Sequence, residues 1–361
     1  MQLTRERLEA YIRARFGADA WLRAVQAEQA AGGSEGLKAF GYGVPLRLTV
    51  EASGQLRDLI LSCQRPDARF GHDHIADRAQ EMLWQHAAYG TLPRHVASLD
   101  VGYIRESGEL VSVAEAVEFF LLRGRLPGEP YWVDLDRIAG SMTVTALDRE
   151  RVDALADYLA AIHQKRRDAP ALYRRRIRDT IAHGEGIFGI VDAYPEPLPV
   201  PPERLARIEE ACVRWRWRLR GLTHRLATVH GDFHPWNILF REGAEFGLLD
   251  RSRGEWGEPA DDVAALSINY LFFSLARCGG LAPPFAELFA RFLDRYLGKS
   301  GDTEIGRTLP LFYAFRGLVV ASPLWYPDLT GECREQLLRF VEGVLEVEVF
   351  RPEEIGRLLE A

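Results

Sequence analysis

The chain has 361 residues, 27% of them charged and 47% apolar, with 52 acidic against 45 basic side chains and a formal net charge of −7. At roughly 150 residues per domain this predicts two domains or one divided domain, and the balance excludes disorder, collagen and coiled-coil arrays. The mild negative charge argues against a nucleic-acid footprint and leaves cationic or polyol small molecules open as substrates.

Among the strong bases only Lys38, Lys165 and Lys299 are lysines, and the rest are arginines. Cys63, Cys212, Cys278 and Cys333 lie far apart, without a C-x-x-C pair or Cys/His metal spacing, and read as buried thiols of a cytoplasmic protein. Charges throughout residues 1–7 leave no apolar signal region. The most apolar stretch, 263–276, is interrupted by Ser267, Asn269 and Ser274 and is shorter than the roughly 20 residues a bilayer needs. It reads as a buried helix ending at Gly279-Gly280.

Residues 4–30 read as helical, with Thr4 as N-cap and Leu8, Tyr11 and Ile12 at helical spacing. Glycines crowd residues 32–43, and residues 37–63 then read as a hairpin turning at Ser53-Gly54. A helix is expected over 74–88, and strand-like pieces over 96–104 and 117–122. The run of Gly, Pro and charge at 123–130 is the strongest break and marks the expected boundary between domains 1–124 and 125–361. Beyond it the chain reads as mostly helical, with an amphipathic helix over 152–163 and another starting at Pro202. The Arg214-Trp215-Arg216-Trp217-Arg218 run lies on that helix, where neighbouring residues point to different sides and form no single basic aromatic face.

The informative segment runs from Val229 to Phe240 and on to Asp250. Two apolar triplets, 238–240 and 247–249, flank a polar turn containing Gly243 and are expected to pair as an antiparallel hairpin. That pairing would bring Asn237, just before the first strand, beside Asp250, just after the second. An amide oxygen and a carboxylate together suit a hard cation such as Mg²⁺, with room left for phosphate oxygens. Asp232, on the same loop as Asn237, could accept a proton from a hydroxyl attacking a phosphoryl group.

His230-Gly231-Asp232 with Asn237, then Asp250, then Gly257-Glu258-Pro259-Ala260-Asp261-Asp262-Val263-Ala264, resembles the aminoglycoside phosphotransferase family. That family shares the bilobal fold of the protein kinases and includes small-molecule kinases for choline, homoserine, sugars and antibiotics. The resemblance implies an α+β, bilobal protein-kinase-like fold, with a small N-terminal lobe built on an antiparallel sheet and a larger, mainly helical C-terminal lobe. It implies ATP or GTP with Mg²⁺, a small-molecule hydroxyl acceptor, Asp232 as catalytic base, and Asn237 and Asp250 as metal ligands. His230 would brace the loop and Asp262 would anchor the following helix. A plain N-terminal charge favouring the helix dipole is the alternative for Asp262. Trp236 and Phe233 read as packing residues.

A rival metallophosphoesterase reading would use His230 and His234 as metal ligands, but Gly231 and Pro235 make a helix between them improbable. Kinases of this fold hold the phosphates with a Gly-rich loop and a third-strand cation paired to a helix carboxylate. The loop candidate here contains Gly41 and Gly43, followed by Pro45, and the third strand offers Ser62 or Gln64 but no lysine. Arg65 or Lys38 is expected to substitute as the nucleotide-binding cation, with Asp77 or Glu81 as helix partner. A catalytically impaired, pseudokinase-type binding protein is the alternative. Arg251 and Arg253 could meet phosphate or an anionic substrate, or cap the loop through Glu255 or Glu258.

Overall fold

The computed structural model describes residues 3–27 and 43–360. The chain separates into two compact units, 1–123 and 124–361.

In the first unit, Thr4 caps helix α1 (Arg5–Phe16) by accepting the Arg7 N–H. The helix expected over 4–30 is shorter. Gly17, at φ +109°, stops it, and Trp21–Ala27 forms strand β1 on the edge of β2 (Gly43–Ala52). Residues 28–30 lie outside the described residues. Strand β3 (Gln55–Gln64) completes an antiparallel sheet ordered β1-β2-β3. The turn between β2 and β3 places Ser53 at φ +51° and Gly54 at φ +73°. Two successive left-handed residues give a two-residue loop whose twist matches the strands, with Ala52 opposite Gln55.

One sheet face buries Leu22, Leu48 and Val50 against Leu8 and Ile12 of α1. Helix α2 (Ile75–Tyr89) starts in a capping box made by His74 and Asp77. The strands expected at 96–104 and 117–122 reduce to β4 (Gly102–Ile104) paired with β5 (Leu110–Ser112), and residues 117–122 form no strand. Apolar, β-branched runs become strands only where an edge is available to pair with. Asp100 ties this hairpin to α1, accepting from the Tyr11 hydroxyl at 2.7 Å and the Ser112 hydroxyl at 2.6 Å.

The second unit opens with β6 (Glu129–Pro130) and continues through α3 (Tyr131–Ser141), α4 (Ala146–His163), α5 (Pro170–Ala182), α6 (Ile187–Asp192) and α7 (Pro202–Leu219). Short strands β7 (Ala227–Thr228), β8 (Ile238–Phe240), β9 (Phe246–Leu248) and β10 (Trp256–Gly257) follow, then α8 (Pro259–Cys278), α9 (Pro283–Ser300), α10 (Leu309–Val320), α11 (Gly331–Glu346) and α12 (Ile355–Glu360). The strands pair as β6-β8-β9 and β10-β7.

Helix α8 is buried from Asp262 to Leu275 and ends on the left-handed Gly279. Its buried hydroxyls bond nearby carbonyls, Ser267 donating to that of Val263 at 2.6 Å and Ser274 to that of Gly280 at 2.7 Å, while the amide of Asn269 donates to the Ala265 carbonyl at 2.7 Å and leaves its own oxygen without a partner among the described residues. Arg291 and Arg295 of α9 fork onto Asp153 and Asp157 of α4. On α7, Trp215 is buried and donates to the Leu345 carbonyl at 2.9 Å, while Trp217 is exposed beneath Arg216 and Arg220. No helix among the described residues is long and apolar enough to cross a membrane.

Candidate active site

The loop between β7 and β8 is fastened from below by one carboxylate. Asp262, fully buried in the first turn of α8, accepts the backbone N–H groups of His230 and Gly231, each at 2.7 Å. Its Oδ2 also meets Nε2 of His163, the last residue of α4, at 3.2 Å, and Nδ1 of that ring meets the Tyr296 hydroxyl at 2.9 Å. Burial alone would raise the Asp262 carboxyl, but His163 and the His230 amide outweigh it and hold it below its ordinary value. A carboxylate that stays charged can pin two amides that would otherwise be orphaned in the interior.

Gly231 sits at φ +87°, and a Cβ there would come within 3.2 Å of the Arg253 Cβ. Glycine therefore permits both the left-handed turn and the close approach. His230 is buried, its Nδ1 accepting the Asp232 N–H at 3.2 Å, and burial lowers its pKa and keeps the ring neutral. Phe233 is buried, stacked on Tyr158 at 6.0 Å.

The Asp232 side chain is partly exposed and surrounded by donors. Arg316 Nη1 meets Oδ1 at 2.6 Å, His234 Nε2 lies 3.2 Å from Oδ2, and Asn237 Nδ2 lies 3.3 Å from the same oxygen. Burial would raise the Asp232 carboxyl, yet the His234 hydrogen bond and the charges of Arg316 and Arg253 hold it far below the usual carboxylate range. Arg316 also donates to the Gly231 carbonyl at 2.8 Å and to Asp261 at 2.9 and 2.6 Å.

At the hairpin the register corrects the expected pairing. The second strand is 246–248, not 247–249, with Ile238 opposite Leu248. Leu249 therefore faces Asn237 and donates its N–H to the Asn237 carbonyl at 2.9 Å, and Asp250 lies one residue further on. Asp250 adopts φ +48°, so the chain leaves the strand's alternation at the metal candidate itself.

The donors present fit a hard cation. Asn237 spends its amide N–H on the Asp232 carbonyl at 3.0 Å, which keeps the amide oxygen for another partner, and Asp250 is exposed with one oxygen accepting the Ser252 N–H at 3.1 Å. Among the described residues no group of three His, Cys, Asp or Glu forms a metal cage. The two histidines of the rival reading are engaged within the loop, His230 with the Asp232 N–H and His234 with the Trp236 N–H.

Of the residues expected to hold nucleotide, Lys38 and Gly41 lie outside the described residues, Gly43 opens β2, and Arg65 is exposed just past the end of β3. Ser62, Cys63 and Gln64 of β3 line a cavity of about 450 Å³ with His72, and with Glu81, Met82 and Gln85 of α2. Of the two helix carboxylates, Asp77 is used in the cap and Glu81 reaches this cavity, accepting from Gln85 at 3.1 Å.

Arg251 caps the loop through backbone carbonyls, reaching Val229 at 2.8 Å and Glu255 at 3.4 Å, while Glu258 is taken by the buried Arg225. Arg253 is half-buried, its guanidinium 5.0 Å from the Phe315 ring centroid. Sequence reasoning missed Arg316 as a site residue and named position 163 only as the end of a helix, without its contact to Asp262. The signal for Arg316 was present: it is the one charge in the otherwise apolar α10, and a buried guanidinium requires carboxylate partners.

A pinned glycine loop, a carboxylate held low at Asp232, and the side chains of Asn237 and Asp250 all lie on the stretch of chain between β7 and the turn after β9. The profile of the phosphotransferase enzyme family, APH, matches residues 60–307, and the chain belongs to that family and is a kinase of it. Its build is α+β, with an N-terminal antiparallel sheet and a largely helical second part.

Among solved structures the chain is similar to an amicoumacin kinase in complex with AMP-PNP, Ca²⁺ and Ami, at 15% identity over 92% of this chain and 91% of that one, TM-score 0.42. It is also similar to a macrolide 2'-phosphotransferase from Brachybacterium faecium, at 15% identity over 95% and 100% of the two chains, TM-score 0.33. A third is a choline kinase from Cryptosporidium parvum, at 11% identity over 99% and 92%, TM-score 0.33. No curated protein matches the sequence.

Proposed function

We propose that this phosphotransferase moves the γ-phosphate of ATP, or of GTP, to a hydroxyl of a small molecule, with Asp232 as the catalytic base. The observation that carries the reading is the environment of Asp232. The carboxylate is charged, partly open, and held on a loop whose amides are bolted to Asp262. Such a group orients the attacking hydroxyl and takes its proton late in the transfer, so the protein's contribution is alignment and charge placement. His230, kept neutral, braces the loop by accepting the Asp232 amide.

Asn237 and Asp250 would hold Mg²⁺, which supplies neutralisation of the phosphate charge when bound. Arg253, beside Gly231 and without a hydrogen bond among the described residues, offers donors to the transferring phosphate or to an anionic group of the acceptor. On the nucleotide side the reading retains Gly41 and Gly43 as the loop and Lys38 or Arg65 as the phosphate cation.

A nucleotide-binding protein without catalysis is the second reading. It draws on the cavity beside β3, which no lysine or arginine lines among the described residues. Two measurements separate the readings. Asp232→Asn and Asp250→Ala are expected to remove Mg²⁺-dependent ADP release, measured across a panel of hydroxyl metabolites and antibiotics, while the melting temperature stays within a few degrees of wild type. Undiminished turnover in either variant sinks the kinase reading of that residue. Lys38→Ala and Arg65→Ala, titrated with ATP, identify the phosphate cation as the one whose loss weakens binding about tenfold or more.

A further inference from the structure

Helix α10 is buried along most of its length, and Arg316 is its single charged residue, 4% exposed. Placing a guanidinium there is costly unless its donors are matched. One carboxylate would balance the charge, and Asp261, at 2.6 Å, supplies it. The remaining donors go elsewhere. Nη1 takes Oδ1 of Asp232 at 2.6 Å, and Nη2 takes the carbonyl of Gly231, the residue just before it, at 2.8 Å. The planar fork thus grips the Asp232 side chain and the peptide that carries it at the same time. Oδ2 is left on the side of His234 and Asn237. The other charged or titratable groups near Asp232 are His230, Arg253 and Tyr326. None of these three makes a side-chain contact with its carboxylate among the described residues.

We propose that Arg316, anchored by Asp261, is the positioning residue for Asp232, fixing its carboxylate through Oδ1 so that Oδ2 is presented to the acceptor hydroxyl. The inference rests on the reading of Asp232 as base. Arg316 does not touch the substrate; it removes the rotation of the Asp232 side chain, and orientation of this kind is worth large factors in rate. Lysine, with donors radiating from one nitrogen, can reach Asp232 or Asp261 but does not reproduce the fork.

The test compares Asp232→Asn, Arg316→Met, Arg316→Lys, Asp261→Asn and the double variant Arg316→Met/Asp261→Asn, each checked by thermal melting. ADP release from MgATP is measured with water alone as acceptor and with the hydroxyl panel, and kcat and KM for ATP are reported per folded molecule. The double variant removes both charges and guards against a fold that fails because Asp261 is left buried and alone. Arg316→Met and the double variant are expected to lose ten- to a hundredfold in kcat with KM for ATP changed less than twofold. Arg316→Lys is expected to recover part of that loss, and Asp261→Asn to lose about three- to tenfold.

Wild-type kcat in a folded Arg316→Met or double variant overturns the inference, as does a loss that falls on KM for ATP. If Asp232→Asn turns over like wild type, or the wild type itself releases no ADP, the base reading fails and takes the inference with it. If Asp232→Asn is dead while the Arg316 variants are unimpaired, the positioning role alone is wrong.

Discussion

Asp262 illustrates how much a single buried carboxylate can organise. With both oxygens committed to backbone amides and to His163, it links α4, α8 and the loop carrying Asp232. Its folded pKa is depressed, so it adds stability above the unfolded value of about 3.9, and that stability is lost as pH falls below it towards the folded value. Melting temperatures of the wild type should therefore hold steady from neutral pH to about 4.5 and drop below that. Asp262→Asn should start about 3 to 5 kcal/mol less stable at neutral pH and show a smaller acid drop. If the Asp262→Asn variant melts with the wild type at every pH, the anchor is refuted. At Arg253 the expectation concerns turnover. Arg253→Ala should lower kcat/KM about tenfold or more at unchanged melting temperature, and equal kinetics would assign the residue to packing on Phe315. Sequence carried Asp232, Asn237 and Asp250 as candidates because loop polarity and hairpin flanks are local features. It marked Arg316 only as a lone charge in an apolar helix and could not name its partner, which lies 84 positions away.

Elements were legible where a local stop or start existed and illegible where pairing decided. The β2–β3 hairpin was readable from Ser53-Gly54, and the end of α8 from Gly279, because left-handed positions advertise themselves in sequence. The strand at 21–27 was not: taken alone it continues a helical pattern, and it is a strand because the β2 edge accepts it in a register that shifts at Ala24. The β8–β9 register was misread by one residue for the same reason, since apolar triplets fix a hairpin's existence more firmly than its alignment. Packing at α10 gives a test at this scale. A Cβ on Gly317 would stand 2.5 Å from Val341 Cγ2 of α11, so Gly317→Val forces the two helices apart. It should cost about 1 to 3 kcal/mol, or a fall of several degrees in melting temperature. An unchanged melt would mean that α11 yields without cost.

Across the whole molecule, the division at Arg123 and Gly124 places Asp232, Asn237, Asp250, Asp262 and Arg316 in one unit. That unit has its own buried interior, running from Tyr131 through the centre of α8 to α11. We expect residues 124–361 expressed alone to melt cooperatively, and a gradual, non-cooperative transition would show that the core is incomplete without the first unit. The arginine-rich composition also acquires a use at this scale. Arg291 and Arg295 bind α9 to α4, Arg204 binds α7 to Glu335 and Glu342 of α11, and Arg225 joins Glu258 to Asp302. These forked contacts suit guanidinium groups and would be poorly made by lysine.

The sequence by itself determined the family, through a His-Gly-Asp loop, an Asn, an Asp and an acidic helix start in fixed order, because residue type and spacing over 230–262 are read directly from the chain. It also determined the helical character of the second unit, because amphipathic spacing is local. Tertiary structure alone decided the β8–β9 register, which sets Leu249 and not Asp250 opposite Asn237, and that a lone arginine of α10 closes on Asp232 and Asp261. Both follow from long-range contacts, in which register and burial choose among alternatives that the local chain leaves equal.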